Sequence, residues 1–304
     1  MATAPILLFT YNRPEHTRRV IESLQLNALA TESHLTIYSD HWKTSADRTF
    51  VEEVRNILSD GIVGFASVTV IEQTENKGLA QSIISGVSKA LEEHERVIVL
   101  EDDLVVAPYF LQFMNDALET YKDEPRVGHI QACDFTQDTS LPETFLIKWT
   151  GSWGWATWKR AWQHFNPDGK ALLTELRERK LTRTFDFNGN YGFTRMLRRQ
   201  IEGKNNSWAI RWNASLFLKD ILSLNVGKSL VQNEGFDGSG TNCGSGGLYS
   251  SQLWLQPLSV EKISPIEENK AARKVYEQYY HRTNSFKAKA IRRIRRTLKG
   301  DFGR

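Results

Sequence analysis

Cysteine is scarce. The 304 residues hold only Cys133 and Cys243, far apart, which excludes a disulfide framework and a thiolate zinc site. Long apolar runs are missing too: no stretch reaches the roughly 18 residues that a membrane-spanning helix needs. The apolar segment near the start, MATAPILLFTYNRP, has no basic residues before it and no small-residue cleavage site after it. Thr10, Asn12 and Arg13 interrupt it at once, so it is expected to be a first core strand rather than a signal peptide. The expectation is a cytoplasmic protein. There is no GxxxxGK[ST] phosphate loop, no GxGxxG after the first strand and no HExxH, and no internal repeat or low-complexity block. Positive charge is lacking in the body of the chain. Of the net +3, residues Ser285 to Arg304 contribute eight lysines and arginines against Asp301, which leaves the rest mildly acidic. That distribution excludes a nucleic-acid-binding body and makes basicity a property of the C-terminal segment.

What is present is an alternation of strand and helix. APILLFT (Ala4–Thr10) is a continuous apolar run, as in a strand buried on both faces. Asn12-Arg13-Pro14-Glu15 opens a helix with Val20, Ile21 and Leu24 as its apolar face. Leu35–Tyr38 is a strand ending at Ser39-Asp40, Phe50–Leu58 a helix, Ala66–Ile71 a strand, Leu79–Leu91 a helix after the Asn76-Lys77-Gly78 turn. Val97–Leu100 is a short apolar strand running into Glu101-Asp102-Asp103. This order predicts an α/β fold with a mostly parallel, twisted, doubly wound sheet flanked by helices. Ligands bind beyond the carboxyl ends of such strands, and Thr10–Arg13, Ser39-Asp40, Asn76-Lys77 and Glu101–Asp103 all fall there.

The second half is less regular. Phe110–Tyr121 is expected to be a helix, Val127–Ala132 a strand, and Leu172–Arg183, Tyr191–Glu202 and Asn213–Asp220 helices. Lys148–Phe165 is dense in tryptophan. Asn233–Gly247 carries six glycines and reads as a loop. Glu261–Tyr280 is expected to be a charged helix and Ser285–Lys299 a basic one. The domain reading is a single unit over 1–257, with a nucleotide-binding half of about 1–125 and an acceptor half of about 126–257, followed by a charged helical extension, 258–304.

Three adjacent carboxylates at a buried strand end repel one another unless a cation or donor groups compensate. A hard divalent ion, Mn²⁺ or Mg²⁺, resolves the conflict and can bridge a diphosphate; the alternative is a solvated acidic turn. Asp40 suits either the uracil edge of a nucleotide or a turn cap. Arg13 suits donor phosphates or a surface ion pair, and Asn76 and Lys77 the ribose or phosphates or a plain turn. Trp155, Trp158 and Trp162 fall at helical spacing and are mostly core, with Trp153 and Trp155, beside Gly151 and Gly154, the ones expected to reach a sugar. Glu234 and Asp237 in the Gly-rich stretch are candidate metal-side or base residues, in a loop suited to closing over a donor or simply exposed. The basic segment has Phe286, Ala290, Ile291, Ile294 and Leu298 among its cations, the composition of a helix that lies on an anionic membrane; a solvated extension is the alternative.

PILLFTYNRPEHTRRVIESL, Ser39-Asp40, NKGLAQSI, VIVLEDDLVVAPYFLQFM and GSWGWATW, in that order over most of residues 4–160, resemble the GT-A fold glycosyltransferases of the family 2-like group. The similarity is to the N-acetylglucosaminyltransferase I and protein O-mannose N-acetylglucosaminyltransferase families, and, through SWAIRW and GFDGSG, to bacterial surface-polysaccharide sugar transferases. The resemblance implies a UDP-sugar donor and a glycan or lipid-linked saccharide acceptor, and with the basic segment the expectation is an enzyme peripheral on the inner face of a bacterial plasma membrane. It implies Asp103 as direct metal ligand, Asp102 as a ribose or water-mediated metal contact, Glu101 against the donor sugar, Asp40 on uracil, and Thr10, Asn12 and Arg13 against the nucleotide. The relatives' acceptor base is an Asp after a Trp; here Asn190-Tyr191-Gly192-Phe193 has no carboxylate, which leaves Asp186, Glu234 or Asp237 for that role. Two rivals follow: a non-catalytic glycan-binding degenerate transferase, and a sugar nucleotidyltransferase, against which the Gly-poor FTYNR after the first strand weighs.

Overall fold

The computed structural model describes residues 3–236 and 251–284. Strand β1 (Ile6–Thr10) is wholly buried, as its uninterrupted apolar run requires. Helix α1 (Pro14–Gln25) starts on Pro14, whose fixed φ and missing N–H suit a first turn, and buries Val20, Ile21 and Leu24. Strand β2 (His34–Ser39) follows, then α2 (Ser45–Ser59), which begins earlier than its apolar positions alone indicate because Thr44 and Asp47 form a reciprocal capping box. Next come β3 (Ser67–Glu72), α3 (Gly78–Glu93), β4 (Arg96–Glu101), the short β5 (Leu104–Val106) and α4 (Phe110–Thr120).

The later elements depart more from the expectation. Strand β6 (Val127–Gln131) is as expected, but β7 (Thr144–Ile147) and β8 (Trp155–Trp158) are strands as well. The helical spacing of Trp155, Trp158 and Trp162 misleads: only Trp162 is helical, in the single turn α5 (Lys159–Trp162). Leu172–Arg183 is not one helix. It divides into α6 (Gly169–Glu178), capped by the Asp168 side chain, and α7 (Thr182–Phe185), because Lys180 takes a left-handed φ of 55° between them. Helix α8 (Phe193–Ile201) is as placed, while α9 (Trp208–Leu218) begins upstream of Asn213, at the Ser207 cap. Strands β9 (Leu222–Val226) and β10 (Val231–Asn233) follow. The last helix, α10 (Lys270–Asn284), replaces the expected Glu261–Tyr280; residues 261–269, which contain Pro265, form no helix.

Eight strands form one sheet in the order β3-β2-β1-β4-β8-β6-β9-β7. β3, β2, β1 and β4 are mutually parallel, β8 runs against both β4 and β6, β9 is parallel to β6, and β7 closes the edge antiparallel. The chain winds outward from β1 to β3 and then crosses back to place β4 on the other side of β1. The sheet therefore has its switch point between the ends of β1 and β4, where the loops diverge and leave a crevice. A separate ribbon pairs β10 antiparallel with β5, with Asn233 opposite Leu104. It brings the start of the Gly-rich stretch onto the acidic triplet.

Candidate active site

The two loops at the switch point carry Tyr11-Asn12-Arg13 and Glu101-Asp102-Asp103, and Arg13 joins them. Its Nη1 lies 3.0 Å from Asp103 Oδ2, and its Nη2 pairs with Asp102 Oδ1. The Tyr11 N–H donates to the other Asp102 oxygen at 3.2 Å. Asp102 and Asp103 are 3% and 6% exposed, so water contributes little to their solvation. Burial raises the Asp102 carboxyl to about 6; Arg13 and the Tyr11 amide oppose the rise, and Asp103 adds to it. Glu101 is pushed well above the ordinary carboxylate range by burial and by both aspartates, with Arg13 again opposing. Burial lowers the pKa of Arg13 itself, but the two carboxylates more than offset that and hold the guanidinium charged. One cation thus faces three acids, and burial with mutual repulsion raises the proton affinity of Glu101 and Asp102.

The ribbon covers this pair. The Glu234 amide donates to the Asp103 carbonyl at 2.9 Å, and the Gly235 amide to Asn233 Oδ1 at 2.8 Å. A Cβ on Gly235 would stand 2.2 Å from Asp103 Oδ2 and 3.1 Å from Arg13 Nη1, so only glycine admits this approach. Next to it, Phe236 meets Trp153 edge-on at 5.6 Å, and Trp153 meets Phe135 at 5.9 Å. Trp153 is partly buried and packs against two of the core clusters. Trp155, the other tryptophan expected there, is instead fully buried in β8 and stacked between His129 and Trp208. It leaves no face for a ligand.

Further along the edge, Asp40 accepts four hydrogen bonds: from the amides of His41 (2.9 Å), Lys77 (2.9 Å) and Gly78 (2.8 Å) and from Asn76 Nδ2 (3.2 Å). These fill a carboxylate's four lone-pair positions and tie β2 to the start of α3, which is the cap role. Asn76 also donates to the His41 carbonyl at 2.6 Å, and Lys77 is exposed. Asn12 donates to Asp47 at 3.1 Å, and the Thr10 hydroxyl reaches the Tyr38 carbonyl at 3.5 Å. Glu234 turns its carboxylate to Arg19 at 3.1 Å. Asp186 accepts from the Thr194 amide at 2.6 Å and caps α8. Asp237 and the basic segment from Ser285 onward lie outside the described residues.

Two groups escaped the sequence reading. Tyr11 lies within a quoted stretch, yet its amide contact with Asp102 depends on the β1–β4 pairing, which no local pattern encodes. Asp134 follows β6 on the same edge, a fifth polar position after a strand end that the strand-end rule could have flagged. It is 2% exposed, its pKa is raised by burial, and it receives Thr136, Gln137 and, at 3.2 Å, the Tyr276 hydroxyl of α10.

Comparison with known proteins bears on this arrangement. No functionally curated protein matches the sequence. Among solved structures, S. aureus TarS is 16% identical with a TM-score of 0.35, over 54% of this chain and 30% of TarS. UDP-glucose pyrophosphorylase in complex with UDP-glucose is 13% identical with a TM-score of 0.37, over 73% and 90% of the two chains. LgtC is 10% identical with a TM-score of 0.34, over 57% and 64%. The chain therefore spans under a third of TarS, and these distant likenesses carry no argument about its substrates. The sequence itself is more informative. Residues 6–204, well over half of the chain and including both switch-point loops, match the family described as Glycosyl transferase family 2, and the chain belongs to that family.

Proposed function

We propose that the protein transfers a sugar from a nucleotide sugar, with UDP as the nucleotide, to a glycan or lipid-linked saccharide in surface-polysaccharide synthesis. The observation that carries this reading is the switch-point cluster: two buried aspartates, charge-coupled to Glu101, held by a single arginine and roofed by Gly235. Among the described residues no three His, Cys, Asp or Glu groups converge into a ready-made metal cage. The donor set of Asp102 and Asp103 nevertheless fits Mn²⁺ or Mg²⁺, which take one or two carboxylates and complete their shell with water and phosphate oxygens. The raised pKa values of Glu101 and Asp102 mark crowded acids whose charge such an ion would relieve. When bound, the ion neutralises the nucleoside diphosphate as it departs.

The chain's own groups do the remaining work. Arg13 turns its guanidinium toward the diphosphate, where its fork matches two phosphate oxygens. Asp40, by fixing Asn76 and the α3 N-terminus, shapes the pocket in which the base and ribose sit. Trp153 and Phe236 present apolar faces to the sugars. The basic segment following Asn284 attaches the protein to an anionic membrane; no described helix is long and apolar enough to cross one.

The test is calorimetric titration of UDP with and without Mn²⁺ on the wild type and Asp103→Asn. Metal-dependent UDP binding in the first and none in the second is expected; equal affinity in both, unaffected by EDTA, sinks the assignment. A second reading, a glycan-binding transferase relic without turnover, draws on one observation: Glu234 and Asp186, the described base candidates, both have their carboxylates engaged elsewhere. Donor hydrolysis or transfer above background rejects it.

A further inference from the structure

The strand that supports the tryptophan-rich turn is polar where apolar side chains would serve stability better. β6 is flanked by strands on both sides, and its His129 and Gln131, two residues apart and so on one face, are fully buried. Gln131 stands opposite Trp155 of β8, whose indole stacks on His129 at 5.4 Å. From α9 the Trp212 indole donates to His129 Nδ1 at 3.1 Å. An indole N–H can only donate, so Nδ1 accepts and the hydrogen of the neutral ring sits on Nε2. Neutrality suits the place, because burial takes the imidazole down to about 3. Three polar atoms here close no hydrogen bond: His129 Nε2, Trp155 Nε1 and Gln131 Oε1. The first two are donors and the third is the acceptor. The Gln131 side chain and the Gly151 backbone are the polar groups that bear on the His129 ring. Burying such groups incompletely paired lowers stability, which points to a role other than stability.

That role follows from what rests on them. Gly151 packs so closely on Gln131 that a Cβ there would stand 2.4 Å from Nε2 and 2.6 Å from Oε1. Just before it, the Thr150 amide donates at 3.1 Å to Oδ1 of Asn213, the neighbour of Trp212 in α9. At the other end of the turn Gly154 takes a left-handed φ of 63° and its carbonyl accepts from the Ala132 amide at 3.1 Å. A Cβ on Gly154 would meet Val231 Cγ2 of the β10 ribbon at 2.6 Å. Residues 151–154 are thus clamped between β6 and the ribbon that carries Gly235. They hold Trp153, which is edge-on to Phe236. At Gly151 the clamp is a side-chain amide, and that amide still has an acceptor to give.

We propose that Gln131, oriented by His129, is a positioning residue for Trp153: the amide on which Gly151 rests sets where the indole stands against the sugar. Trp212 fixes the tautomer of the imidazole, His129 Nε2–H directs the Gln131 amide through Oε1, and the amide limits how closely Gly151 approaches β6. The inference rests on the reading of Trp153 as a sugar contact and adds what holds it in place. Packing alone does not call for this set of residues. Methionine at 131 would fill nearly the same space and leave no acceptor unpaired.

The test is fluorine NMR of the full chain labelled with fluorotryptophan, the Trp153 signal being assigned by its loss in Trp153→Phe. Gln131→Met removes the amide at nearly constant length, and Gly151→Ala pushes the amide aside from the other face of the contact. Both are expected to shift or split the Trp153 signal, to leave that of Trp42, beyond the end of β2, in place, and to keep a melting temperature near that of the wild type. In both, UDP with Mn²⁺ should bind with wild-type affinity. Hydrolysis of UDP-glucose, UDP-galactose or UDP-N-acetylglucosamine, whichever the wild type turns over, should slow at least about tenfold. A Trp153 signal unmoved in both variants overturns the inference, whatever the melting temperature does, and makes His129 and Gln131 plain core. A moved signal with hydrolysis at the wild-type rate overturns it too, because the indole then has no bearing on the sugar. A wild type that neither binds UDP nor hydrolyses any of the three refutes the functional reading instead, with the Trp153 signal still deciding whether Gln131 holds the turn.

Discussion

Arg13→Met tests whether one guanidinium holds the acidic triplet. Methionine fills much of the same space without charge. Asp102 and Asp103, with side chains 4% and 8% exposed against 17% for Arg13, would lose their shared cation. Removing one partner of a buried pair costs about 3–5 kcal/mol. Protonation sets a ceiling on that cost. Already in the wild type, Asp102 titrates at about 6 in the fold against an ordinary 3.8, and holding it ionised at neutral pH costs roughly 3 kcal/mol. A folded pKa above the unfolded one gives stability that is complete below the unfolded value and is lost as pH rises through the folded one. Wild-type stability should therefore decline between about pH 4 and pH 6, and Glu101, raised further, extends the decline upward. Without Arg13 both pKa values climb, so the deficit of Arg13→Met is largest at about pH 7.5 and shrinks toward pH 5, where the carboxyls take up protons. At about 2–3 °C per kcal/mol for a chain of this size, thermal unfolding should show a loss of roughly 6–15 °C at the higher pH and less than half of that at the lower. A pH-independent deficit would mean that Arg13 acts by packing alone, and no deficit would mean that the pair is not formed.

Gly235→Ala places a methyl 2.2 Å from Asp103 Oδ2, so the ribbon or the carboxylate must move; UDP affinity should fall about tenfold by calorimetry, and an unchanged Kd would show that the roof is dispensable. Tyr276→Phe strips a buried donor from Asp134 and should cost about 1–2 kcal/mol, a fall of a few degrees in melting temperature, while leaving UDP binding intact; an unaltered melting temperature refutes the anchoring of α10 through Asp134. Asp40→Ala leaves four donors without their acceptor and should accelerate amide exchange at Lys77 and Gly78 at least tenfold; exchange at wild-type rates would remove the cap role.

The parallel half was legible because each strand there is a short apolar run bounded by polar turn residues, and each helix has one apolar face. β1, β2, β3 and β4 stand within a residue or two of where the sequence puts them. The antiparallel half was not, for an identifiable reason. β8 is a central strand flanked by β4 and β6, so all four of its residues are buried and its apolar pattern has no period to read. The chance spacing of Trp155, Trp158 and Trp162 then imitates a helix. The charged run from Glu261 failed differently: composition favours a helix there, but Asn269 begins one only by accepting from the Ala272 amide. The meeting of Arg13 with Asp102 and Asp103 follows from the rule that ligands gather at strand ends. Their partition into roles needed hydrogen bonds, which a sequence does not display.

That partition separates the acids of this edge more sharply than burial does. Asp40, Asp102, Asp103 and Asp134 are all at least nine-tenths buried. Asp40 is met by three backbone amides and an asparagine, and Asp134 by two amides, a threonine and a tyrosine. Most of these donors are backbone amides, which cannot leave without local unfolding, so both carboxylates organise structure. Asp102 has one amide and Arg13, and among the described residues Asp103's side chain has Arg13 alone. A guanidinium on several rotatable bonds can move away, and when it does, the two aspartates lose the cation they share. Only a carboxylate whose partner is mobile can exchange one cation for another. Among the described acids of this edge, the costly, incompletely compensated charge lies where the compensating group is a mobile side chain, which is the arrangement that the proposed nucleotide and counter-ion site requires.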